Sequence, residues 1–132
     1  MIDLHAAIGF AIVGLFAIGW IWGLVAWIAR RDAGRGFWIW LAIAQVVVGL
    51  QAIVGLIVYV QGYRASTWLH YAYGIFPVLV LVIAHLVARE TRRMKPSPRT
   101  GRTMAAWVPF AWAAFICFGL TLRALMTGFG IG

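Results

Sequence analysis

The sequence predicts an all-α fold, a transmembrane four-helix bundle with both termini outside, formed as a single domain over residues 1–132. Three observations predict it: the composition, four long apolar runs and the placement of the basic residues. The chain is 64% hydrophobic and 11% charged, with a mean hydropathy of +0.95. Soluble domains are just under half apolar and about a quarter charged. A water-soluble domain of 132 residues could not bury this much apolar surface.

Each of the four apolar runs is close to or longer than the roughly 20 residues that a helix needs to cross a bilayer core. The predicted spans cover residues 4–29, 37–62, 68–88 and 104–127. Pro77 and Pro109 lie within the third and fourth spans, where membrane helices tolerate proline if neighbouring groups satisfy the freed carbonyl. The single cysteine, Cys117, excludes a disulfide scaffold and is expected to be a small core residue.

The basic residues set the predicted orientation. The loops that follow spans one and three hold nine of the eleven: Arg30, Arg31, Arg35, Arg89, Arg92, Arg93, Lys95, Arg99 and Arg102. The positive-inside rule places both loops in the cytoplasm, and the expected location is the cell inner (plasma) membrane. The formal charge of +8 would suggest nucleic acid in a soluble protein. Here the two basic loops of a membrane protein account for the positive charge. Membrane lipid is therefore expected as a partner, and nucleic acid is not.

Tryptophans near the ends of the predicted spans suggest aromatic belts at the membrane interfaces. Trp27, Trp38, Trp40 and Trp107 are expected at the cytoplasmic interface, and Trp68 at the outer one.

Two histidines open the two spans that run from outside to inside. His5 begins span one and His70 begins span three, so both are expected at similar depth near the outer surface. Their surroundings repeat, because the pattern L-H-x-A-x-G occurs at residues 4–9 and again at residues 69–74, 65 residues later. A duplicated helix pair, spans one–two and three–four, would produce this repeat.

The glycine four residues after each histidine predicts room for a cofactor. Gly9 and Gly74 lie about 40° around the helix from His5 and His70, on the same face. A histidine that ligates haem iron needs the porphyrin edge to pass close to its own helix, and glycine removes the side chain that would block it. His5 and His70 are therefore the expected iron ligands of one haem, between spans one and three. The alternatives are close helix packing at the glycines, and interfacial histidines that hydrogen-bond water or headgroups.

Two arginines at the outer ends of the spans are candidate partners for the propionates of such a haem. Arg64 precedes span three, and Arg123 lies in the last turns of span four. Guanidinium groups pair well with carboxylates. Snorkelling to the headgroups is the alternative, and it accounts better for Arg64 than for Arg123, which has apolar neighbours on both sides.

The remaining polar side chains at membrane depth are predicted to have other roles. His85 lies about 22 Å deeper than His70 and is rotated by roughly 60°, so it cannot join the outer site. It is expected to be a hydrogen-bonded residue at the cytoplasmic interface. The alternatives are a proton or quinone contact, or a ligand shared across a subunit boundary. Gln45 and Gln51 on span two are expected to hydrogen-bond across helices.

The segment Leu50–Leu56, with its L-Q-x-x-x-G pattern, is followed after a short loop by Leu69-His70 and resembles haem A synthase. In that family two four-helix halves each carry one histidine on the first and third helices. The separation of these histidines is close to the 65 residues seen here, and the haem lies near the outer surface. The resemblance covers one half, in effect this whole chain, and implies that His5 and His70 are haem ligands.

One position departs from the catalytic half of that family, which carries a glutamate three residues before its first histidine. Here that position is Ile2, and the nearest carboxylate, Asp3, faces another side of the helix. The resemblance therefore implies the half that holds haem b as a cofactor.

The expected function is that of a cytochrome b-like membrane protein that binds one haem b per chain and transfers single electrons. Bis-histidine iron has no open coordination position, which favours electron transfer over oxygen chemistry. Quinone or a membrane oxidase is the expected partner, and a half-length relative of a duplicated protein suggests a homodimer. Two alternatives stay open. One is a half-size, homodimeric haem A synthase-like enzyme in which Asp3 replaces the glutamate. The other is a cofactor-free accessory subunit of a membrane respiratory complex.

Overall fold

The computed structural model describes residues 1–95 and 104–131. Within them the chain forms four helices: α1 (Ile2–Ile28), α2 (Gly34–Val60), α3 (Leu69–Arg93) and α4 (Val108–Gly128). Each helix is long and apolar enough to cross a membrane, which confirms the predicted all-α fold. Helix α3 continues five residues beyond the predicted span. Arg99 and Arg102, which belong to the second predicted basic loop, lie outside the described residues.

The helices pack in the order α2–α1–α4–α3. Helix α1 packs against α2 and α4, and α4 also packs against α3, whereas α2 and α3 approach each other at only a few points. Helices α1 and α3 therefore lie on one diagonal of the bundle. We call the end at which α1 and α3 begin the histidine end, the opposite end the basic end, and the open side the α2–α3 seam.

A glycine ends α2 at the histidine end. Gly62 has φ +93°, a left-handed conformation that side chains with a Cβ rarely adopt. Its N–H donates to the carbonyl of Tyr59 at 3.1 Å, and the N–H of Tyr63 donates to the carbonyl of Val58 at 3.3 Å. These bonds satisfy the last carbonyls of α2 and turn the chain towards α3.

Aromatic side chains form the core at the basic end. Phe37 is fully buried, and its ring centroid lies 5.0 Å from that of Trp40 and 6.3 Å from that of Trp107. The indole N–H of Trp40 donates to the carbonyl of Leu15 at 2.9 Å. The Trp40 ring fills the space that a Cβ on Gly19 would need, so this glycine lets α1 and α2 pack closely.

The prediction of an aromatic belt is wrong for two of its tryptophans. Trp40 and Trp107 are only 6% and 5% exposed and belong to the core. Trp27 and Trp68 are 66% and 72% exposed, as residues of a belt would be. Proximity to a span end gives the depth of a residue but not its helical face. Trp40 lies three residues from buried Phe37 and so shares its face.

Pro77 and Cys117 meet in the interior between α3 and α4. Both are fully buried, and the thiol of Cys117 donates to the carbonyl of Pro77 at 3.7 Å. This confirms Cys117 as a small core residue and places a weak donor beside the proline turn of α3.

Candidate functional site

The rings of His5 and His70 meet inside the histidine end of the bundle. They come from α1 and α3, the diagonal helices, and their centroids are 5.9 Å apart with an angle of 66° between the ring planes. Both residues are half-buried. The fold thus brings together two histidines that are 65 residues apart in the sequence.

Helix α4 holds the His70 ring. Its Nδ1 lies 2.9 Å from the carbonyl oxygen of Ala124. A carbonyl can only accept, so Nδ1 carries the proton and Nε2 keeps a lone pair. A Cβ on Gly128 would lie 3.1 Å from Cε1 and 3.2 Å from Nδ1 of this ring. A hydrogen bond from the second ring nitrogen to a carbonyl is typical of metal-ligating histidines.

Helix α2 contacts both the backbone and the ring of His5. The side-chain amide of Gln51 donates to the backbone carbonyl of His5 at 2.9 Å, which confirms the predicted cross-helix hydrogen bond. One turn further along α2, a Cβ on Gly55 would lie 3.1 Å from Cε1 of His5 and 3.5 Å from its Nδ1. The L-Q-x-x-x-G pattern therefore has a structural role, because the glutamine fixes α1 and the glycine admits the ring.

Polar atoms at this site have free hydrogen-bonding capacity. Among the described residues, Nδ1 of His5 and Oε1 of Gln51 are buried without a partner. No described residue hydrogen-bonds Nε2 of His5 or of His70 either. Buried polar groups in native proteins are nearly all satisfied, so Nδ1 of His5 and Oε1 of Gln51 are left for a water molecule or a ligand.

The two glycines predicted to admit a cofactor have different surroundings. Gly74 is exposed, and a Cβ on it would meet nothing within 4 Å, so it faces the surface of the bundle one turn along α3 from His70. A Cβ on Gly9 would lie 3.4 Å from Cδ1 of Leu125 and 3.5 Å from Nε2 of Gln51. Side chains therefore fill the space beside Gly9, whereas Gly74 opens onto the surface of the bundle.

The glycines that contact the histidine rings are Gly55 and Gly128, which the repeated motif did not indicate. A signal for Gly55 was present, because it stands four residues after Gln51 in the pattern that carries the family resemblance. No pattern marks Gly128. The chain forms two helix pairs, α1–α2 and α3–α4, which we call hairpins. In each hairpin, a histidine near the start of the first helix packs against a glycine near the end of the second.

The two candidate propionate partners lie at this end of the bundle. Arg64 donates to the carbonyls of Tyr59 and Tyr63, the second at 3.0 Å, and its guanidinium lies 3.9 Å from the centroid of the Tyr59 ring. It thus stabilises the end of α2. Arg123 is half-buried on α4, next to Ala124, whose carbonyl holds His70. Pairing of either arginine with propionates stays a prediction.

His85 lies apart from this site, on the α2–α3 seam. Its Nδ1 is 2.9 Å from the carbonyl of Leu81, and its Nε2 is 3.4 Å from Nε2 of Gln45. These contacts confirm that His85 is hydrogen-bonded and that Gln45 contacts a neighbouring helix.

The donor set at the histidine end suits a haem. Within residues 1–95 and 104–131, no three His, Cys, Asp or Glu side chains are grouped to hold a metal ion. The two histidines would therefore serve a metal whose other ligands come from elsewhere, as a porphyrin supplies them. Metal–imidazole bonds of about 2.0–2.1 Å would hold two rings with centroids about 6 Å apart; the observed 5.9 Å is compatible with that and is equally the distance of an ordinary edge-to-face ring pair.

Comparisons with protein-family models, curated proteins and solved structures found no match to this chain. The resemblance to haem A synthase therefore stays a prediction from the residues that carry it.

Proposed function

We propose that this chain is a cytochrome b-like membrane protein that binds one haem b through His5 and His70 and transfers single electrons. The observation that carries the proposal is the 5.9 Å separation of the two rings. Helices α1 and α3 are diagonal in the bundle, so the two rings meet across its interior rather than along a helix–helix contact.

The neighbouring residues supply the two things that a ligating histidine needs. These are a fixed ring orientation and room for the ring between the helices. The carbonyl of Ala124 fixes the tautomer of His70, and Gly55 and Gly128 let both rings lie against the backbone of the adjacent helix. Gly74, exposed on α3 one turn from His70, is the proposed contact of a porphyrin edge, and Arg64 and Arg123 are the proposed propionate partners. A haem held there by His5 and His70 would supply reversible one-electron chemistry.

The proposed setting is the plasma membrane, with membrane lipid around the bundle. Quinone or a membrane oxidase is the proposed redox partner, because both exchange electrons within the bilayer. A homodimer is the proposed assembly.

Visible spectra of the purified protein, oxidised and dithionite-reduced, test the proposal. We expect a low-spin haem b spectrum that His5→Ala or His70→Ala abolishes, since losing one axial ligand opens the iron. His85→Ala is the matched control and should leave the spectrum intact. A colourless protein after expression with ample haem would contradict the proposal, and so would loss of haem in His85→Ala alone. Conversion of haem O by the purified protein would instead identify the enzyme alternative.

A further inference from the structure

A cavity of about 270 Å³ lies between α1 and α4 towards the basic end of the bundle, and its lining is almost entirely apolar. We call it the aromatic groove. The larger side chains that line it are Trp20, Leu24 and Trp27 of α1 and Trp107, Trp112 and Phe115 of α4. Four of the eight tryptophans of the chain are therefore gathered here. An apolar cavity of about 150 Å³ is large enough for benzene, so this groove has room for a larger apolar ligand.

The groove has a floor of small residues, one closed end and one open end. Gly23 and Ala111 line it where α1 and α4 cross, so closely that a Cβ on Gly23 would collide with the Cβ of Ala111. The rings of Trp20 and Phe115 meet edge-to-face with their centroids 5.6 Å apart, and they bound the end that lies deeper in the bundle. Trp27, which is 66% exposed, stands at the opposite end. The groove therefore opens where α1 ends.

Two arginines follow Trp27 at this open end. The backbone N–H of Arg30 donates to the carbonyl of Trp27 at 3.1 Å. The backbone N–H of Arg31 donates to the carbonyl of Ala26 at 3.0 Å, so both arginines stay within about one turn of the groove. Both are exposed, and among the described residues neither forms an ion pair. The nearest acid in the sequence, Asp32, instead accepts from the first N–H of α2 at 2.8 Å. The open end of the groove therefore carries a positive charge that no described carboxylate pairs with.

We propose that the aromatic groove binds an anionic phospholipid, with one acyl chain in the groove and the phosphate at Arg30 and Arg31. An acyl chain suits the apolar lining, and indole rings favour the depth at which lipid chains meet their headgroups. Arginine pairs with phosphate through two parallel hydrogen bonds. Basic pockets between membrane helices are known binding sites for anionic headgroups. The second acyl chain lies outside the groove, in the bilayer.

The charge at the open end favours this lipid over the other occupants of an apolar groove. In a symmetric pair, a second copy of this chain would bring its own Arg30 and Arg31 to the same end, and like charges brought together oppose association. A neutral lipid would fill the groove but leave both arginines without a counter-ion. The predicted orientation also puts the basic end in the cytoplasmic leaflet, where anionic lipids give the membrane surface its negative potential.

Native mass spectrometry of the full chain in detergent, titrated with dioleoylphosphatidylglycerol, tests the proposal. We expect one tightly bound lipid per chain. A basic residue near an anionic surface raises affinity about fivefold, so Arg30→Gln combined with Arg31→Gln should weaken binding about thirtyfold. Dioleoylphosphatidylcholine, which has the same chains and no net charge, should bind the wild type as weakly as that. Arg89→Gln combined with Arg92→Gln is the matched control, because it removes the same charge from the basic end of α3, away from the groove.

Filling the groove tests where the acyl chain lies. Leu24→Trp enlarges a lining side chain and should weaken the binding of both phospholipids. Val25→Trp is the matched control, because Val25 is exposed and lies outside the lining, and it should bind as the wild type does. The proposal does not depend on haem. His70→Ala should lose haem but keep the lipid, which separates failure of this proposal from failure of the proposed function.

Four results would overturn the proposal. The first is equal affinity of the wild type for the two phospholipids. The second is an equal loss of affinity in the two arginine double variants, which would show that only the overall charge matters. The third is unchanged binding in Leu24→Trp that is monodisperse by size-exclusion chromatography. The fourth is displacement of phosphatidylglycerol by an equal concentration of oleate, which would assign the groove to a free fatty acid.

Discussion

The close approach of two glycines to the histidine rings gives the sharpest test of the haem site. A Cβ added at Gly55 or Gly128 would lie 3.1 Å from Cε1 of the facing histidine, whereas carbon atoms prefer about 3.5–4.0 Å. Each ring would therefore have to retreat by about 0.4 Å or more. The side chains of a binding site must stay within about 0.5 Å of their productive positions. An alanine here would therefore displace the histidine ring by most of that distance. The bond to Ala124 pins His70, which makes Gly128 the more sensitive position.

Overpacking of this kind costs about 1–3 kcal/mol, which corresponds to about a fivefold to hundredfold loss of affinity. The assay is titration of the apoprotein with haem in micelles, followed by the absorbance of the low-spin form. Gly55→Ala and Gly128→Ala should bind haem more weakly than the wild type, and Gly128→Ala the most weakly. Gly49→Ala and Gly119→Ala, on the same two helices, are matched controls because their Cβ atoms would meet nothing within 4 Å. Equal haem affinity in all four variants would refute the assignment of the rings as ligands.

Three further predictions follow from the packing and the charge pattern. Reporter fusions to the C-terminus should be active only with a reporter that functions outside the cytoplasm, and a cytoplasmic C-terminus would overturn the predicted orientation. Gly74→Leu should lower haem occupancy without lowering folding yield, because Gly74 lies one turn from His70 on α3 and a Cβ on it would meet no other residue within 4 Å; Gly9→Leu should lower both, because it strikes Leu125 and Gln51. Gly19→Ala should lower the free energy of unfolding in SDS titrations by about 1–3 kcal/mol, since the Trp40 ring fills that space, while Gly14→Ala, with nothing within 4 Å, should not.

The sequence predicts those features that depend on one helix at a time. Apolar runs alone define the four helices, and the repeated L-H-x-A-x-G motif predicts that His5 and His70 share a depth. Features that depend on the facing helix could not be predicted in this way. Hydropathy does not give the order of packing, so neither the burial of Trp40 and Trp107 nor the α2–α3 seam was expected. The contact of Gly128 with His70 likewise exists only once α3 and α4 are paired.

The histidine–glycine contacts support the duplicated helix pair that the repeat suggests. In the first hairpin His5 packs against Gly55, and in the second His70 packs against Gly128, each with 3.1 Å between Cε1 and the position of the glycine Cβ. The histidines are 65 residues apart and the glycines 73. These two offsets relate α1 to α3 and α2 to α4 position by position.

The same offsets allow the closely packed α1–α4 pair to be compared with the open α2–α3 seam. Helices α1 and α4 cross at Gly23 and Ala111, so closely that a Cβ on Gly23 would collide with the Cβ of Ala111. The corresponding residues of the other pair are Ala88 on α3 and Trp38 on α2. Small residues let membrane helices approach closely, and an indole is far larger than the alanine at the equivalent position of α4. Trp38 packs against Phe110 of α4 at 5.6 Å, and α2 meets α3 through polar side chains, Gln45 and His85, rather than through a close approach of the two backbones.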